Sequence, residues 1–142
     1  MRTTAILLLL CSLSLAAEPK KKEPVMNDHK SIEGTWALVS GERHGKAFSD
    51  EVVKAVSLEF SQDTLATKNN DRVRKAKFKL HPDSMPKGID LDMDGSIGLG
   101  IYKLNGDTLT ILHGEVDDTR PTEFDPKQTP RLTLLVLKRS KP

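Results

Sequence analysis

From Trp36 to Arg139 the chain alternates apolar and polar side chains at period two, in short runs separated by Gly, Asn, Asp and Pro. Successive side chains on a strand point to opposite faces, so such runs bury one face of a pleated sheet and wet the other. Eight runs qualify, at residues 34–40, 57–60, 64–68, 72–80, 89–93, 98–104, 108–113 and 131–139. Turn chemistry lies between them: Gly41 to Gly45, Ser61-Gln62-Asp63, Asn69-Asn70-Asp71 and Asn105-Gly106-Asp107. Asn-Gly tolerates the positive φ that tight hairpins require. His81-Pro82-Asp83 ends the run 72–80, because proline cannot donate to a ladder. The last run is different. Leu134-Leu135-Val136-Leu137 is apolar on both faces, which predicts a strand covered on both sides or one that closes a sheet. Closure removes exposed edges. The expectation is therefore an all-β chain: a small antiparallel barrel of about eight strands. One short helix is expected after Ser49, which can cap it. Asp50 and Glu51 suit its first turn, and Val52, Val53 and Val56 give it an apolar side.

The N-terminus reads differently. Arg2 is followed by an apolar run from Ala5 to Leu15 and by the small residues Ala16 and Ala17. This order predicts a secretory signal peptide over residues 1–17, and hence an exported protein, periplasmic or extracellular. The run is shorter than the roughly 20 residues of a spanning helix, so no membrane span is expected after cleavage. Cys11 is the only cysteine and lies within that run. Leu10 precedes it where a lipidation site wants a small residue, so the mature chain is expected to hold no disulfide and no lipid. Residues 18–30 contain two prolines and Lys20-Lys21-Lys22, with no periodic apolar face, and are expected to form a disordered tether. The domain is then 31–142. Acids and bases interleave, and the whole chain's net charge of +2 gives no footprint for nucleic acid.

Three stretches carry a family resemblance: Glu33-Gly34-Thr35-Trp36 with Val39-Ser40-Gly41-Glu42, then the run from Gly100 to Leu109, then Arg120-Pro121-Thr122-Glu123-Phe124 before the closing Leu134 to Arg139. Together they resemble an uncharacterised lipocalin-like domain family abundant in planctomycete bacteria. That resemblance implies a fold and a source, and no reaction. Gly34-x-Trp36 is also similar to the Gly-x-Trp signature of lipocalins, in which the tryptophan closes one end of the barrel under a basic residue of the last strand. Lys138 and Arg139 are the candidates for that cation, and they lie on opposite faces. Arg139 is favoured because its planar group stacks better.

No constellation reads as catalytic or metal-binding. His29, His44, His81 and His113 are scattered, and cysteine ligands are missing from the domain. Asp90, Asp92 and Asp94 with Gly95 echo the opening of a calcium loop. The twelfth position is Ile101, however, and alternation with Ile89, Leu91 and Met93 reads as the wet face of a strand. Gly95 to Gly100 opens a strand rather than a helix, which suggests a bulge instead of a phosphate cradle. No cofactor is expected. Arg120, Glu123 and Phe124, together with Tyr102, are the candidate contacts for a ligand at the barrel mouth. The structural alternative has Phe124 anchoring a long loop on the core while Arg120 pairs with Glu123. Two functions follow: a barrel holding a small apolar or amphipathic molecule, or a filled barrel acting as a structural or protein-interaction domain of the envelope. Aromatics are only 4% of the chain, which argues mildly for the second.

Overall fold

The computed structural model describes residues 27–128 and 130–141; the expected signal peptide and residues 18–26 of the expected tether lie outside them. Turn residues adopt the left-handed backbone that tight hairpins need. His44, Gly45, Asp94, Gly95 and Gly106 all have φ between 52° and 88°. These turns fold the chain into successive antiparallel pairs. The strands are β1 (Gly34–Arg43), β2 (Lys46–Ala47), β3 (Val56–Ser61), β4 (Thr64–Asn69), β5 (Arg72–His81), β6 (Gly88–Met93), β7 (Ser96–Asn105), β8 (Thr108–Val116) and β9 (Thr133–Arg139). Strand order is β2-β1-β3-β4-β5-β6-β7-β8-β9, and β1 also pairs with β9. Eight strands thus close a barrel, with β2 as a short addition on β1.

The seam is continuous from Trp36↔Arg139 to Arg43↔Thr133, interrupted by a bulge between Leu38 and Ser40. Inward-facing side chains fill the interior. Trp36, Leu58, Phe60, Ile89, Tyr102, Leu109, Ile111 and Leu137 are each at most 2% exposed. The Phe60 and Phe78 rings meet edge to face with centroids 5.0 Å apart. A second, smaller core lies outside the wall. Ile101 and Leu112 on β7 and β8, Leu132 just before β9 and Leu134 at its start form it, and Phe124 packs against them. This explains the doubly apolar last strand: Leu135 and Leu137 belong to the inner core, whereas Leu134 belongs to the outer one.

Two features depart from the sequence reading. The expected turn at residues 41–45 starts later, because β1 runs on to Arg43 and pairs with β2. Gly41 is there for space: a Cβ on it would collide with the Phe48 ring. Among the described residues there are also two short helices, not one. α2 (Asp50–Ala55) is the expected helix, with Ser49 Oγ accepting from Val52 N. α1 (Asp28–Ile32) lies where the tether was expected, so residues 28–30 belong to the folded domain. Asn27 Oδ1 caps it by accepting from His29 N. Five residues are too few for a helical period to show in sequence. Among the described residues no helix is long and apolar enough to cross a membrane.

Candidate functional site

The residues expected to close the barrel converge at one end. Trp36 is fully buried, and its Nε1 donates to the Ile32 carbonyl at the end of α1, 2.7 Å away. The Arg139 guanidinium lies 4.2 Å from the centre of the Trp36 ring. The same group donates to the Glu33 carbonyl (2.8 Å) and the Ser31 carbonyl (2.5 Å). A cation gripping carbonyls at a helix C-terminus satisfies groups that a helix leaves unpaired. Gly34 lets the backbone approach: its φ is +112°, and a Cβ there would sit 3.3 Å from Arg139 Nη1. Lys138 is exposed on the outer face.

The four candidate ligand contacts do not come together. Tyr102 points into the barrel, and its hydroxyl donates to Asp28 Oδ2 of α1, 2.5 Å away. Lys87 Nζ donates to the same oxygen at 2.7 Å. Burial, then the Asp28 carboxylate, push the Tyr102 hydroxyl far above its ordinary pKa. Tyr102 therefore helps to dock α1. Arg120 and Phe124 lie on the opposite side of the wall. Arg120 Nη1 donates to the carbonyls of Gly100 (2.6 Å) and Ile89 (3.2 Å), and its Nη2 pairs with Asp90. The expected Arg120–Glu123 pair is thus replaced by Arg120–Asp90, and Glu123 is exposed. Gly88 leaves room for that guanidinium, which a Cβ would crowd. Phe124 clamps the loop onto the outer core, as the structural alternative had it.

Asp90 is the hub of this outer cluster. His81 Nε2 lies 2.8 Å from its other oxygen. Burial opposes ionisation of Asp90, but the His81 and Arg120 contacts outweigh it and hold its carboxyl below the ordinary range. On β8, opposite Gly100, His113 Nδ1 donates to the Gly114 carbonyl at 3.0 Å. Burial, with Arg43 nearby, lowers the His113 pKa despite that bond. The three aspartates of the calcium-like run go separate ways. Asp92 accepts from Gly95 N (2.7 Å), and Asp94 sits in the turn with φ 56°. Among the described residues no group of three or more His, Cys, Asp or Glu could hold a metal.

Two depressions lie on the outer surface. One, about 220 Å³, is lined by Asp118, Arg120, Thr122 and Arg131. The other, about 370 Å³, is lined by Thr64, Lys75, Lys77, Asp92 and Asp94. Sequence reasoning placed Asp92 on the wet face of a strand and read residues 72–80, which hold Lys75 and Lys77, only as an alternating run. Only the β5–β6 register, with Lys77 opposite Asp92, brings them to one place. No protein-family model, curated protein or solved structure matches this chain.

Proposed function

We propose that this chain is an exported, non-catalytic, lipocalin-like domain whose barrel is a filled scaffold and whose outer surface binds other components of the cell envelope. One observation carries the reading: the interior is occupied by the protein's own large side chains, while both depressions lie outside the wall. Ligand sites of drug-like size are concave, mostly apolar spaces of roughly 300 Å³ or more. The inner core instead packs Trp36, Tyr102, Phe60, Phe78 and Ile32 against one another. The polar groups that meet do so as satisfied pairs. Asp28 is held by Tyr102 and Lys87, and Asp90 by His81 and Arg120. Such pairs dock α1 and the 117–132 loop, and neither leaves a base beside a free nucleophile.

Native mass spectrometry of protein purified from its own source tests this. A mass equal to the processed chain alone is the expected result. A co-purifying small apolar molecule would return the function to the interior and overturn the filled-scaffold reading.

A further inference from the structure

Residues 72–79 carry five bases and no acid, although the whole chain has a net charge of only +2. Arg72, Arg74, Lys75, Lys77 and Lys79 are all exposed. Among the described residues none of the five forms an ion pair with a carboxylate. Lys75, Lys77 and Lys79 share the outer face of β5, so their Cα atoms follow one another at about 6.8 Å along a line. Of the nearby acids, Asp92 lies opposite Lys77 and accepts from Gly95 N, and two others are engaged elsewhere. Asp90, opposite Lys79, is taken by Arg120 and His81. Glu59 is bound by Lys68 at 2.6 Å, with Lys75 acting on it from farther away. On the β4 side, Lys75 and Lys77 face the uncharged Ala66 and Thr64.

A second observation narrows the partner. The depression of about 370 Å³ beside Lys75 and Lys77 is also lined by Asp92, Asp94 and Thr64. The carboxylates there accept hydrogen bonds from sugar hydroxyls, and the Thr64 hydroxyl both accepts and donates them. Lysines alone suit any anion. Lysines interleaved with such acceptors suit a chain bearing both hydroxyls and spaced negative charges. We propose that the outer row of β5 binds an acidic polysaccharide lying along the strand, its anionic groups on Lys75, Lys77 and Lys79 and its hydroxyls on Asp92 and Asp94. This rests on the reading that the outer surface, not the interior, is the working part.

Isothermal titration of the whole protein with polygalacturonate, neutral dextran, a DNA oligomer and anionic phospholipid vesicles tests it. Polygalacturonate is expected to bind, more weakly as salt rises, and dextran is not. The triple variant Lys75→Ala, Lys77→Ala, Lys79→Ala should lose about tenfold in affinity. The equal charge loss Lys103→Ala, Lys127→Ala, Lys138→Ala should change little, and circular dichroism checks that both variants fold. Asp92→Asn with Asp94→Asn should narrow the preference for polygalacturonate over DNA. Absent binding, equal loss in both triple variants, or DNA or vesicles binding at least as tightly as polygalacturonate would each overturn the proposal. A fluorescent fatty acid added in a separate arm reads the interior. Its uptake would contradict the filled scaffold and leave the β5 result standing.

Discussion

At the scale of single residues, the closed end of the barrel turns on Arg139. Parity along the last strand narrows the cation over Trp36 to one of two neighbours, and the geometry sets Arg139 there with two helix carbonyls in its grip. Lysine has no planar fork, so Arg139→Lys loses the stack and one of the two hydrogen bonds. The expected cost is about 1–3 kcal/mol in urea unfolding. Lys138→Ala should stay within about 0.5 kcal/mol, because its side chain is exposed. His113 gives a pH dependence. Its folded pKa lies below the ordinary value, so the unfolded chain takes up the proton first. Stability is therefore full above the unfolded value of about 6.5 and falls as pH drops through it toward the folded pKa. Asp90, also lowered, adds a second loss beginning near its unfolded value of about 3.9. Unfolding midpoints followed from pH 8 to 3 should show both steps, and His113→Asn should flatten the upper one.

At the scale of elements, the 117–132 loop behaves as a second layer on the wall. Its hold is Phe124 on Ile101 and Leu112, plus Arg120 on the carbonyls of β6 and β7. Phe124→Ala should cost about 3 kcal/mol or somewhat less, since the ring is only partly buried. Hydrogen exchange should quicken in residues 117–132 and hardly at all in the inner strands, which the barrel holds independently. The existence and type of the strands were legible because period two is a strong local signal, and all eight runs became barrel strands. What was not legible depends on contacts distant in sequence. Gly41 looked like a turn and instead admits Phe48, and α1 is recognisable only through its partners Tyr102, Lys87 and Arg139. For the same reason Arg120 was paired with its near neighbour Glu123, while the chain brought it Asp90 from another strand.

At the scale of the whole molecule, the chain is a cylinder made almost wholly from neighbours in sequence, with one exception. Seven of its eight junctions join successive barrel strands, and the eighth joins β1 to β9 across about a hundred residues. Until Thr133 to Arg139 is available to pair, β1 and β8 both present unsatisfied amides to their surroundings. The protein is thus obliged to finish folding late, once its last strand is free to pair. It passes through an interval in which stray strand pairing competes with its own completion.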